Sequence, residues 1–284
     1  MNLQPLISLI KEHGLEEHQQ AILASVKPAI SISLAARGQG NIGQSRIGRY
    51  PDLHPSLAWP VHPKYERPLC FILQLNFSEL PDFTDNPLPK EGMLYLFQSE
   101  GENDAEQLVI YQGDELLQPT QLPEDTELIT DWYEDLTVHM LEFSLFADVP
   151  RWATNDFYEL SRKLFGEDAD DEDLLGSLGH KLTEYGATKV GKLLGHVSGI
   201  GHDPKEDAYV VREVNPAWLY NSNELRNNNV DLTKAKSWQN LLELSSSDDV
   251  NLMFGDAGYL QILIHEDDLK GRDFSKVYVN LESS

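Results

Sequence analysis

Apolar residues recur at helical spacing twice near the start of the chain, at Leu6, Ile7, Leu9 and Ile10 and again at Ala21, Ile22, Leu23 and Val26. Gly14 separates the two groups and Pro28 follows them, which predicts two short helices. The period then changes: Ile30-Ser31-Ile32-Ser33-Leu34 alternates apolar and polar, as a half-buried strand does. Leu69 to Leu75, Met93 to Phe97, Leu108 to Tyr111 and Val138 to Phe146 read as further strands, with turns marked by Pro81, Pro87, Pro89 and Gly92 between them. Strands joined this closely pair antiparallel, and without steady strand-helix alternation the pattern points to an α+β fold rather than a parallel doubly wound sheet.

Thr154 can cap a helix carrying Phe157, Leu160 and Leu164, and Leu174 to Tyr185 predicts another. The acidic run from Glu167 to Asp173 between them reads as a solvated loop. Strands are then expected at Tyr209 to Val214, Asn240 to Leu244, Tyr259 to Ile264 and Val277 to Leu281. The expected organisation is an N-terminal helical segment (1–28), a strand-rich half (29–150), a helical spacer (151–186) and a second strand-rich half (187–284). Three segments of the halves look alike in the same order: RIGRYPDLHP from Arg46 with LLGHVSGIGHDP from Leu193, FILQLNFSEL from Phe71 with NLLELSSSDD from Asn240, and GMLYLF from Gly92 with GYLQIL from Gly258. That order suggests an internal duplication.

Composition narrows the function classes. A formal net charge of −25 disfavours nucleic acid and anionic membranes as partners, because a phosphate surface is repelled. With 40% hydrophobic residues the chain can build a core. Its single cysteine, Cys70, sits in the apolar run Leu69 to Leu73 and reads as a small buried hydrophobe. Neither a signal peptide nor a membrane span is evident, so a soluble cytoplasmic protein is expected.

Several short motifs occur together in order: Ser45-Arg46-Ile47-Gly48 with Pro51 and Leu53, Trp59-Pro60, Pro68-Leu69 through Gln74-Leu75 to Glu79-Leu80, and Leu88-Pro89 with Gly92. Later come Leu193-Leu194-Gly195, Gly199-Ile200, Asp203-Pro204, Trp238, Leu241-Leu242, Asp248, Gly255-Asp256-Ala257-Gly258, Asp268-Leu269 and Asp273-Phe274-Ser275. Together, over residues 30 to 284, they resemble the YwqG-like family, a bacterial group of unknown function. The resemblance implies a cytoplasmic α+β domain and transfers no catalytic residue. Two positions depart from the family pattern: Arg49 stands where a second glycine usually follows Gly48, and His196-Val197 replaces an aromatic-proline pair.

Candidate chemistry is sparse. Gly38-Gln39-Gly40-Asn41-Ile42-Gly43 matches G-x-G-x-x-G, but Gly48 and Pro51 break the segment where a nucleotide-binding helix would open, so a loop is favoured. Counted from Asp168, the acidic run places Asp173 and Gly179 where a calcium loop needs glycine and glutamate. His196, His202 and Asp203 share a glycine-rich loop without metal-ligand spacing. Trp59, Trp132, Trp152, Trp218 and Trp238 read first as core or interface anchors. Asp256 between glycines reads as a turn carboxylate, and an acid after His265 as the cap of a short helix before Gly271. No cofactor or metal is expected.

The leading expectation is a non-catalytic binding module whose acidic surface suits a basic protein, such as a toxin neutralised by an acidic antidote. Its candidate residues are Arg46, Trp59, Gln74, His196, Asp203, Trp238, Asp256 and His265. The rival is a hydrolase using Asp203, Asp256, His196 and His265 in a cleft between the halves. A structural homo-oligomer is a third possibility.

Overall fold

The computed structural model describes residues 1–99, 107–111, 116–122, 127–128, 136–166, 172–182 and 189–283, with no side-chain detail for 107–111 and 172–174. It is an α+β protein. The strands are β1 (Lys27–Arg37), β2 (Arg46–Ile47), β3 (Asp52–Leu53), β4 (Cys70–Asn76), β5 (Met93–Gln98), β6 (Gln107–Tyr111), β7 (Gln118–Pro119), β8 (His139–Asp148), β9 (Lys189–Leu194), β10 (Trp238–Ser245), β11 (Tyr259–His265) and β12 (Tyr278–Glu282). The α-helices are α1 (Gln4–Glu12), α2 (Gln19–Ala24), α3 (Asn155–Phe165), α4 (Glu172–Leu182), α5 (Pro204–Tyr209), α6 (Ser222–Asn227) and α7 (Glu266–Gly271).

Ten strands form one antiparallel sheet in the order β12-β11-β10-β9-β1-β8-β2-β4-β5-β6, while β3 and β7 make a separate pair. The order is symmetric about the β1–β8 contact. Strands β2, β4, β5 and β6 run outward in chain order on one side of that contact as β9, β10, β11 and β12 do on the other, with β8 lying between β1 and β2 and β1 between β8 and β9. The β1–β8 ladder, Lys27↔Asp148 to Arg37↔His139, joins the two sides of the sheet and is the longest among the described residues.

Alternation sets the two faces. Ile30, Ile32, Ile47, Leu73, Leu75, Leu193, Leu242, Leu244, Leu260 and Ile262 share one apolar core spanning both halves. The sheet curls around it, bringing Phe77 after β4 within 6.3 Å of Phe274 before β12. Each such side chain taken fully out of water contributes roughly 1.5–3 kcal/mol before ordering costs. The N-terminal helices, α3 and α4 close a second cluster over the end of β8, through Leu6, Ile10, Ile22, Phe157, Leu160, Leu175 and Leu178 on Ala147 and Val149.

Two local expectations change. The segment expected as a strand at Tyr209 to Val214 is helical, because Asp203 caps α5 by accepting from Lys205 N–H with Pro204 in the first turn, and a π-turn over Val210–Val214 prolongs it. The cap of α7 is the His265 imidazole, whose Nδ1 accepts from Asp267 N–H at 3.2 Å, rather than an acid. In the turn before β11 the positive φ values belong to Gly255 and Ala257, and Gly258 is required for another reason: a Cβ there would lie 1.8 Å from the Glu282 carbonyl oxygen. The acidic run from Glu167 through Asp171 and Trp132 lie outside the described residues.

Candidate functional site

On the face opposite the shared core, each half carries a row of polar side chains that the ladder registers align. In the first half Arg46 pairs with Gln74 and Gln74 with Tyr95. In the second, Lys192 pairs with Glu243 and Glu243 with Gln261. All six are at most 2% exposed. The correspondence of Gln74 with Glu243 and Tyr95 with Gln261 is the spacing of the similar segments noted above, whereas Arg46 corresponds to Lys192, one residue before the Leu193 that glycine matching would choose. The reason is visible in the backbone. Each half ends its strand with two successive left-handed residues, Gly48-Arg49 and Leu194-Gly195, so the glycine has changed place within an otherwise equal turn.

The first half's row is closed by its own chain. Asp52 on β3 sits over it, its Oδ2 accepting from Arg46 at 2.6 Å, Gln74 Nε2 at 3.0 Å and Gly43 N–H at 2.8 Å. Gln74 Oε1 accepts from Asp52 N–H at 2.8 Å, Tyr95 donates to the Asp52 carbonyl at 2.6 Å, and Arg46 donates to the Tyr50 carbonyl at 2.6 Å. Burial opposes the Asp52 charge, but the Arg46, Gly43 and Gln74 hydrogen bonds outweigh it and lower the carboxyl's pKa. Trp59, donating to Leu69 O at 2.9 Å and packed edge-on against Phe97, seals the flank. Here the row is covered by a segment of the chain itself.

In the second half's row, Glu243 lines a cavity. Lys192 donates to Asp148 Oδ2 at 3.0 Å and to the His196 carbonyl at 2.7 Å, with Glu243 at 3.7 Å. Asp148 also receives Arg151 at 2.9 Å and His196 N–H at 2.9 Å. Burial pushes the Asp148 carboxyl up, yet the Lys192 and Arg151 charges win and hold it well below the usual range. Above this lies a cavity of about 480 Å³, walled by Arg151, Trp152, α4, the Ser198–Ile200 loop, Glu243, Ser245 and Tyr259. Trp152 stands at its rim, 54% exposed. Among the described residues, Arg151 Nε and Gln261 Oε1 are buried without a partner, as is Arg46 Nε in the first row. Burial, with the Glu243 and Glu282 charges, pushes the Tyr259 hydroxyl far up, so it stays a neutral phenol.

Beyond Tyr259 the same face continues to His202, whose Nε2 lies 2.5 Å from Asp207 and 3.5 Å from Glu282, with Tyr220 at 3.4 Å. The Asp207 contact raises the His202 pKa, and burial raises that of Glu282. Among the described residues no three or more His, Cys, Asp or Glu side chains are grouped to hold a metal ion.

The eight sequence candidates fall into separate places. Arg46 and Gln74 meet at Asp52, with Trp59 on the flank. His196 hydrogen-bonds Asp156 at 3.2 Å, and Asp203 receives the neighbouring Asn155 N–H at 2.8 Å, so these two share the start of α3. Trp238 donates to Glu213 and packs edge-on against His265. Asp256 is exposed in its turn, where its N–H donates to Ser283. Asp203, Asp256, His196 and His265 therefore occupy three different neighbourhoods. Sequence reading missed Asp52, Asp148, Lys192, Glu243 and Gln261. A signal existed: Lys192 in VGKLLG and Glu243 in LLELS are single charges inside apolar strand runs, which must be paired when buried.

The model of the domain of unknown function DUF1963 matches residues 45–282, from just before β2 through β12. The chain belongs to the DUF1963 family. No curated protein matches the chain. The DUF1963 match contains both polar rows but begins after β1, the strand that pairs with β9. Among the described residues no helix is long and apolar enough to cross a membrane.

Proposed function

We propose that this DUF1963 protein is a cytoplasmic binding module, without chemistry of its own, whose ligand site is the cavity over Glu243 in the second half. One observation carries the reading: of two corresponding polar rows, one is occupied by a segment of the chain itself and the other faces a cavity of about 480 Å³, within the size range of ligand pockets. The buried charges beneath it are spent on one another, which suits a rigid receptor. The net charge of −25 favours a basic protein partner of the antidote type. The corresponding registers support duplication of an ancestral half, with one copy later sealed, and the motif likeness supports kinship with YwqG-like proteins.

The test is calorimetric titration with a lysine-glycine decapeptide and its glutamate-glycine counterpart at low and moderate salt. Binding of the basic peptide alone, weakening with salt, is expected. No binding of the basic peptide at low salt would contradict the reading. A hydrolase reading keeps one supporting observation, the His202 imidazole between Asp207 and Glu282. Ester or phosphate hydrolysis above the buffer rate, abolished by His202→Gln, would move the assignment there.

A further inference from the structure

One wall of the cavity is tied to a group of acids that share a single imidazole. The 198–200 loop forming that wall has two anchors: Gln261 Nε2 donates to the Ser198 carbonyl at 2.8 Å, and the Ile200 N–H donates to the Glu282 carboxylate on β12. Gly199 packs so closely that a Cβ there would lie 2.4 Å from the His202 carbonyl oxygen and 3.0 Å from that of Ala153, so a shift at His202 is passed to the wall.

The acids come from separate elements. Asp207 on α5 and Glu282 on β12 are each 5% exposed, and His202 Nε2 stands between them, 2.5 Å from Asp207 Oδ2 and 3.5 Å from Glu282 Oε1. Tyr220, ahead of α6, places its hydroxyl 3.4 Å from both His202 Nε2 and Asp207 Oδ2. Asp203 and Glu206 add negative charge from the same loop and helix. Tyr278 on β12, kept a neutral phenol mainly by burial, also faces Asp207 and Glu282, and Arg212 beside it donates to the Val277 carbonyl. Two buried carboxylates that repel one another need a positive charge between them, and His202 is placed to supply it.

Resting on the reading of the cavity as a ligand site, we propose that His202 is a proton-operated clasp on its wall. As an imidazolium it holds Asp207 and Glu282 together and keeps Glu282 on the Ile200 N–H, which fixes the loop in the form a ligand meets. When it gives its proton to solvent the two carboxylates repel, Glu282 turns away and the 198–200 loop loosens. Because the Asp207 contact raises the His202 pKa, the clasp is fully set below the ordinary 6.5 and is lost as pH rises through the folded value.

The test uses the whole protein and two readouts at about pH 6 and about pH 9: hydrogen-exchange protection of the Ile200 amide by NMR, corrected for intrinsic rates, and calorimetry with the lysine-glycine decapeptide. In wild type the Ile200 protection should fall about tenfold over that range, while Leu242 in β10 keeps its own. His202→Gln should show the low value at both pH values. Asp207→Asn, which removes one of the repelling charges, should show the high value at both. Decapeptide affinity should fall several-fold as pH rises, against the trend of surface charge, since the protein grows more negative as its histidines lose protons. Ile200 protection that ignores pH, or that still follows it in His202→Gln, would overturn the clasp. If protection follows pH but affinity does not fall, the clasp does not serve this cavity and the proposal falls. If the decapeptide binds at neither pH, the module reading falls, and the exchange comparison alone decides the clasp.

Discussion

The two halves solve one problem in two ways. Each buries a cation on the second strand of its set, Arg46 or Lys192, and each must neutralise it away from water. The first half uses Asp52, delivered by a short strand that also covers the row. The second uses Asp148, from the end of β8, and Glu243 of this row lines a cavity. Where the counter-charge comes from thus decides whether the face is filled or hollow. A sealed row stabilises, while a hollow one keeps about 480 Å³ for something else.

Removing the counter-charges should break this comparison most visibly. Asp148 neutralises both Lys192 and Arg151, so Asp148→Ala leaves two buried cations, and a loss of about 3–5 kcal/mol in urea unfolding is expected. Asp52→Ala strands only Arg46 and should cost less. Equal small losses would mean the pairs do not hold the halves as described.

Exchanging the row residues is the sharper test. Gln74→Glu brings a carboxylate to Asp52 Oδ2, now 3.0 Å from an amide nitrogen, and removes the donor to Gln44 O, for an expected cost of about 2–4 kcal/mol. Glu243→Gln gives up the longer Lys192 contact but leaves Lys192 its Asp148 partner and Gln261 its acceptor, so a smaller loss of about 1 kcal/mol is expected. Symmetric costs would contradict the open-and-closed distinction.

The pH dependence separates the same regions. Asp52 and Asp148 have lowered pKa values, so their stabilisation is complete above the ordinary 3.8 and is lost as pH falls towards their folded values. His202 has a raised pKa, so its contribution is complete below 6.5 and disappears as pH rises through its folded value. The urea midpoint of wild type should therefore fall on that alkaline side, and His202→Gln should remove the slope without altering the acid limb. The smallest effect expected is at the turn: Arg49 holds φ +64° where its counterpart Gly195 holds +76°, so Arg49→Gly should stabilise by about 0.5–1 kcal/mol, read from the melting temperature.

Much of the fold was legible because alternation reports burial directly, as in Ile30 to Leu34 or Tyr259 to Ile264. Lys189–Leu194 escaped notice because Gly191 and Gly195 make its short run look like a loop, although Gly191 is there because a Cβ would meet the Glu243 carbonyl at 2.2 Å. Tyr209 to Val214 misled in the opposite sense, since its valines favour a strand while the Asp203 cap, several residues upstream, sets a helix. The site was harder to see. Asp148 sits 44 residues from the Lys192 it neutralises, and only the sheet registers bring Lys192, Glu243 and Gln261 into one row.

The most direct test is backbone amide mapping by NMR during titration with the lysine-glycine decapeptide. The account predicts shifts gathered at Ser198, Gly199, Glu243, Ser245 and Tyr259, with Asp52, Gln74 and Tyr95 unmoved. Shifts spread over the acidic surface, or centred on the first half's row, would contradict it.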